Sequence, residues 1–203
     1  MTRIIGIAGL AGAGKSTLIK NLLDILPDSS ALFIDDYQRI TREPVAAIID
    51  WMERGGDFNE FVIPVAGEHL ARLKSGETVL NPITLVPVLP KQILLFETHF
   101  GRAHEDTGRH IDMMLWLDTP PEVALARNLL ALLEPMAPGG SIQPTQERIG
   151  ATRRYLSSYL SDVRRLTAFQ RARLLPDADR VLDGSMGAAE IAQAAKLIIC
   201  GES

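Results

Sequence analysis

Between Gly9 and Ser16 the chain reads GLAGAGKS, which fits the spacing G-x-x-x-x-G-K-[ST]. That spacing suits a polyphosphate. Glycine adopts backbone angles closed to other residues and lets main-chain N–H groups approach a ligand closely. Gly9, Ala11, Gly12, Ala13 and Gly14 would then present N–H groups to the phosphates, at the positive end of the helix that comes next. Lys15 would add a point charge at the β- and γ-phosphates. Ser16 would offer its hydroxyl to Mg²⁺, and Thr17 would brace the loop near the α-phosphate. A flexible strand-to-helix turn is the plain alternative; the strand pattern before the loop and the helical pattern after it weigh against that. The second chemical feature is LFIDDYQR, residues 32 to 39. A carboxylate from Asp35 or Asp36 can take the proton of an acceptor hydroxyl and orient its oxygen, or bind Mg²⁺ through water. The alternative there is a turn or a helix cap made by one of the two.

Elements must bring these groups together. Ile4 to Ala8 and Ala31 to Ile34 are short apolar runs that predict strands. Gln92 to Phe96 and Met113 to Leu117 lack alternation, as strands covered on both faces should. Lys15 to Leu26 carries Leu18, Ile19, Leu22, Leu23 and Leu26 at helical spacing and stops at Pro27. Further helices are expected at 43–54, 63–74, Pro120 to Leu133, Thr145 to Leu174 and Ala188 to Ile199, with a last short strand at Val181 and Leu182. Residues 77–89 contain prolines and read as a hairpin or two edge pieces. The stretch EPMAPGGSIQP, 134 to 144, is the clearest mobile segment, and a lid is expected at about 134–150. Strands alternating with helices imply a three-layer α/β P-loop NTPase fold: one domain over 1–203, a mainly parallel sheet, helices on both faces and a small lid. In such sheets the carboxyl ends of the strands line the ligand crevice, where Asp35 and Asp36 would stand.

Composition narrows the partners. The 203 residues are 46% hydrophobic and 23% charged, which suits a globular domain. A net charge of −4 gives no general affinity for nucleic acid or an anionic membrane, so neither is expected as a partner. A homodimer stays open. The one cysteine, Cys200, excludes an intrachain disulfide and fits a reducing, cytoplasmic setting; a buried inert thiol is expected. No signal peptide or membrane span is expected.

Nucleotide binding alone names no reaction. No asparagine precedes a lysine, so the guanine-reading N-K-x-D is absent, as is an LSGGQ-like transporter signature. Small-molecule kinases remain, using ATP and Mg²⁺. Here the chain resembles the uridine kinase / phosphoribulokinase / pantothenate kinase group of P-loop kinases. The resemblance runs in order through GIAGLAGAGKSTL, IDDYQR, HLARLKSGETV, ILLFETHFG, DMMLWLDTPPEVALARN and PDADRVLDG. It implies that Asp35 is the catalytic base, that Glu97 lies near Mg²⁺ and substrate, and that Ser16, Asp35 and Glu97 serve the metal. It also implies that Arg127, at the root of the lid, faces ATP. Glu97 as a cap, and Arg127 as a solvated partner of Glu122 or Glu134, are the structural alternatives.

Two departures stand out. The group often carries arginines in its lid, whereas here no basic residue falls between Arg127 and Arg148. Arg153, Arg164 and Arg171 share one face of a continuous helix at about 100° per residue, so Arg153 and Arg164 are candidates to meet the γ-phosphate. A solvated basic face is the alternative. Thr98 replaces the group's glycine after Glu97. Candidate acceptor contacts are Asp36, Tyr37, Asp57, His99 and Arg102, with Asp57 the nearest match to a sugar-contacting segment of uridine kinases. Trp51 and Phe58 fit the core better than a base-stacking role. His69 reads as a helix-surface residue. His99, Arg102, His104 and His110 match no standard metal spacing, and phosphate or lid contacts suit them better. The expected acceptor is an alcohol-bearing nucleoside, sugar or vitamin precursor. A nucleotide-binding regulator without transfer activity is the reading from another class.

Overall fold

The computed structural model describes residues 2–37, 45–133 and 146–201. The chain runs through β1 (Arg3–Gly9), α1 (Lys15–Ile25), β2 (Ser29–Phe33), α2 (Val45–Glu53) and α3 (Pro64–Lys74). It continues through β3 (Val79–Leu80), β4 (Pro87–Val88), β5 (Ile93–Glu97), α4 (Glu105–Gly108), β6 (Met113–Asp118) and α5 (Pro121–Leu133). The last elements are α6 (Gln146–Ser158), α7 (Arg164–Leu174), β7 (Arg180–Asp183) and α8 (Ala188–Cys200). Five strands form one sheet in the order β2-β5-β1-β6-β7, and each pair is parallel. β3 and β4 form a separate antiparallel hairpin, as the prolines around them require.

Strand alternation sends apolar residues to both faces. Ile4 and Ala8 of β1, Leu94 and Phe96 of β5, and Met114 and Trp116 of β6 join one core with Trp51, Phe58, Leu70 and Leu73. Ile5 and Ile7, Leu95, and Leu115 and Leu117 join the opposite core with Leu18, Ile19 and Leu22 of α1 and Ile191, Ala195 and Ile199 of α8. Parallel strands covered on both sides are therefore apolar at successive positions. Each fully buried aliphatic side chain contributes about 1.5–3 kcal/mol.

The sheet order fixes the crevice. From β1 the chain crosses to β2 at one edge, returns to β5 beside β1, then passes to β6 on the other side of β1. The direction of winding reverses at β1, so the crevice opens beyond its carboxyl end, where the glycine loop begins.

Several expectations change. The stretch from 145 to 174 is not one uniform helix, because Tyr159–Val163 is a π-helical turn. The extra residue in that turn rotates α7 relative to α6, so Arg153 and Arg164 stand about 80° apart rather than on one face. Cys200 is exposed, because the buried stripe of α8 ends at Ile199 and its neighbour faces out. His69 is half-buried, with its Nδ1 2.9 Å from the Tyr37 hydroxyl. As expected, Trp51 and Phe58 are buried, in an aromatic cluster with Phe61, Phe100 and Phe169. Residues 134–145 of the expected lid lie outside the described residues. Among those described, no helix is long and apolar enough to cross a membrane.

Candidate active site

The glycine loop spans the gap between β1 and α1. Gly12 has a φ of 78°, and a side chain there would run into the Ala124 carbonyl of α5. Gly14 caps α1 at a φ of 102°, in the left-handed region where an L side chain is strained. No side chain caps α1, and its first turn holds no acidic residue. Its leading N–H groups, including those of Ser16 and Thr17, therefore suit an anion. The loop is held from behind. The Ala13 carbonyl accepts from Thr119 Oγ1 at 3.0 Å and from Arg127 Nη1 at 2.9 Å. Arg127 Nη2 also donates to the Gly184 carbonyl at 3.2 Å, tying the loop to the turn between β7 and α8.

Lys15 is buried. Its Nζ donates to the carbonyls of Gly9 at 3.1 Å and Leu10 at 3.2 Å, and lies 3.9 Å from Glu97 Oε1. Burial pushes its pKa below the ordinary lysine value, opposed by the charges of Glu97 and Asp35. Glu97 pairs in register with Ile7 of β1 and Phe33 of β2, so its buried carboxylate sits between the two strand ends. Ser16 Oγ donates to it at 3.1 Å. Asp35 lies in a short 3₁₀ turn after β2 and meets His99 Nε2 at 2.9 Å. That hydrogen bond, opposed by burial and helped by His99 and Lys15, holds the Asp35 carboxyl below the usual aspartate range.

Lys15, Ser16 and Glu97 thus form one contacting group, and the Asp35–His99 pair stands within reach of the Lys15 charge, all at the carboxyl ends of β1, β2 and β5. Among the described residues no three His, Cys, Asp or Glu side chains converge as a metal cage. Ser16 Oγ beside the Glu97 carboxylate, with Asp35 near, is instead a partial oxygen set. Magnesium is commonly held that way, through one or two carboxylates plus phosphates and water. On the α1 side, a recess of about 150 Å³ is lined by Ala13, Gly14, Thr17, Leu18, Leu117, Arg127, Ala188 and Ile191.

Other candidates are engaged elsewhere. Asp36 accepts from Asn81 Nδ2 of the hairpin at 2.6 Å. The Tyr37 hydroxyl is turned to His69, and burial raises its pKa. Asp57 caps the turn after it, accepting from Asn59 N at 2.9 Å and Asn59 Nδ2 at 3.1 Å, and lines a separate recess with Gly55, Gly56, Phe58, Ala103 and Arg173. Arg102 clips the start of β7, with Nη2 2.6 Å from Asp179 and Nη1 donating to the Asp177 carbonyl at 3.1 Å. The histidines disperse: His104 bonds Thr107 and the Phe61 carbonyl, and Arg109 Nε donates to His110. Arg153 and Arg164 are exposed, and their side chains make no hydrogen bond or ion pair among the described residues. Arg171 instead grips Asp118 with two bonds, at 3.0 and 2.8 Å.

Sequence reasoning missed Thr119, Asn81, Gln170 and Asp118. Each acts through a partner distant in the chain; Asp118 and Thr119 fall in the quoted segment DMMLWLDTPPEVALARN, but nothing local names their partners. Thr98 did show as a departure. Its buried hydroxyl accepts from the N–H groups of Phe100 and Gly101, at 3.1 and 3.2 Å, and shapes the turn carrying His99.

No protein-family model matches the chain. The uridine kinase of Borrelia turicatae is 23% identical over 139 residues, covering 64% of this chain and 66% of that protein. The phosphoribulokinase of a Synechocystis species is 27% identical over 135 residues, covering 60% of this chain and 39% of that protein. The chain therefore spans at most about two thirds of these relatives. Among solved structures, a shikimate kinase from Acinetobacter baumannii and a sugar kinase from a Janibacter species each superpose with a TM-score of 0.49 at 18% identity. Each covers 100% of this chain and 96% of the other. The sequence similarities point to the broad superfamily of P-loop kinases and not to one named group within it.

Proposed function

We propose that this chain is a Mg·ATP-dependent kinase that transfers the γ-phosphate to a hydroxyl of a small metabolite, a nucleoside before a sugar or a pantothenate-type alcohol. The observation that carries this reading is the junction of Lys15 and Ser16, at the end of the glycine loop, with Glu97 and Asp35. Phosphoryl transfer requires little covalent chemistry of the protein, and needs positioning and charge stabilisation instead. In this reading the N–H groups of Gly12 to Thr17 and the Lys15 ammonium cradle the phosphates. Ser16, Glu97 and Asp35 would hold Mg²⁺, which would supply charge stabilisation for the transferring group. Asp35 orients the acceptor hydroxyl and receives its proton. The recess beside Thr17 and Arg127 suits the nucleoside part of ATP by its apolar lining. The likeness to a uridine kinase supports a nucleoside acceptor.

A coupled assay of ADP release across nucleosides, sugars and pantothenate-like alcohols tests this. Turnover that rises with one alcohol supports the kinase. ATP binding without acceptor-stimulated turnover would support the regulatory reading instead.

A further inference from the structure

Resting on the kinase reading, we propose that His99 is a positioning residue that acts through Asp35: its imidazole holds the carboxylate in the orientation the acceptor hydroxyl meets. Phe33 of β2 and Glu97 of β5 are paired in register, and Asp35 and His99 each lie two residues beyond that pair. The parallel sheet thus delivers both residues to the same edge of the crevice. There His99 Nε2 is 2.9 Å from Asp35 Oδ1.

The two partners are unequally exposed. The His99 side chain is 18% exposed and that of Asp35 is 55% exposed. His99 is fixed from several directions. Its carbonyl accepts from Gln170 Nε2 of α7 at 2.8 Å. The two residues after it are tied to Thr98 Oγ1. Its ring meets Phe100 edge-on at 6.2 Å, and Phe100 stacks on Phe61 at 5.3 Å. The Asp35 carboxylate thus meets a donor whose place the fold fixes.

Hydrogen-bond chemistry sets the direction. An ionised carboxylate only accepts, so it is Nε2 that carries the hydrogen in this bond. With Nε2–H committed to Asp35, that nitrogen cannot take the acceptor's proton. The carboxylate has about four lone-pair sites, and the bond from His99 occupies one of them. Asp35 keeps the role of meeting the acceptor, and His99 fixes where it does so.

The test uses the full-length chain with Mg·ATP, scoring transfer to whichever panel alcohol is active and hydrolysis with water as acceptor. His99→Leu removes the donor, and His99→Gln keeps an N–H donor at similar reach. Expected is a fall in kcat on the order of 10- to 100-fold for His99→Leu, with the KM for ATP unchanged, because misplacing a reacting group costs that much. His99→Gln should recover most of the loss. In an Asp35→Asn background, His99→Leu should cost nothing further, since residues acting as a unit are not additive. Additive losses, a defect confined to KM, or a Gln variant as poor as Leu would each overturn the proposal. Ring ¹⁵N shifts of labelled histidine give a readout independent of turnover. The His99 Nε2 resonance should shift on Asp35→Asn, and an unshifted ring overturns the proposal even if the kinase reading itself has failed.

Discussion

Lys15 carries its charge where the fold penalises it. Burial outweighs the attraction of Glu97 and Asp35 and lowers its pKa. The folded state thus holds the ammonium less readily than the unfolded chain does, and losing the charge should relieve the fold. Lys15→Met should therefore leave the apo melting temperature at pH 7 equal or slightly higher, while ATP affinity and turnover collapse. Calorimetry with and without ATP checks both halves; a large drop in apo stability would mean that Lys15 is structural. The two neighbouring aspartates divide similarly. Asp35 adjoins Lys15 and His99, whereas Asp36 is bound to Asn81. Asp35→Asn should lower kcat by about 10²–10⁴-fold with ATP affinity retained. Asp36→Ala and Asn81→Ala should each raise the acceptor KM and leave kcat close to wild type, because both release the same hairpin. The sequence showed both carboxylates at a strand end. It did not show which partner each would find, since His99 and Asn81 lie 64 and 45 residues away.

At the scale of elements, apolar runs and helix stops were sufficient for every strand of the main sheet and for most helices. Their signals are local, as in Leu18, Ile19 and Leu22 along α1. The π turn at Tyr159–Val163 was not legible, because spacing arguments assume a constant 100° per residue and no residue type marks the extra one. The clip between the β5–β6 connection and β7 was equally hidden. Asp179 accepts from Arg102 and from the Met114 N–H, both at 2.6 Å. Those bonds, Arg102 first, hold its carboxyl below the ordinary aspartate value of 3.8. A depressed folded pKa means stabilisation that is present above the unfolded value and lost as pH falls through the folded one. Asp179→Asn should thus cost about 1 kcal/mol at pH 7, modest because the pair is partly exposed. The deficit should shrink below pH 3.8. Urea midpoints of both proteins at pH 7 and pH 3 measure it, and an equal deficit at both would remove the charge from the explanation.

Over the whole molecule, the glycine loop is where the separate layers meet. Gly12 touches α5, Arg127 and Thr119 join Ala13 to the ends of β6 and β7, and Ser16 reaches Glu97 on β5. The loop itself was readable from eight consecutive residues. The acceptor side was not, because the ends of β2 and β5, the hairpin and α7 approach one another only in the folded chain. A ligand seated on the loop bears on elements from both cores, so its binding free energy should appear in global unfolding and not in a local transition. At 100 times its Kd, Mg·ATP should add about 2.7 kcal/mol to the unfolding free energy. For a domain of this size that corresponds to a rise in Tm of about 5–11 °C. In the proposed binding mode the contacts fall on the β- and γ-phosphates, so AMP at the same concentration should give a much smaller shift, and Lys15→Met should abolish most of the ATP effect. Differential scanning calorimetry of the two proteins with each nucleotide distinguishes the cases. Equal shifts from AMP and Mg·ATP would place the binding energy in the nucleoside recess and not in the loop.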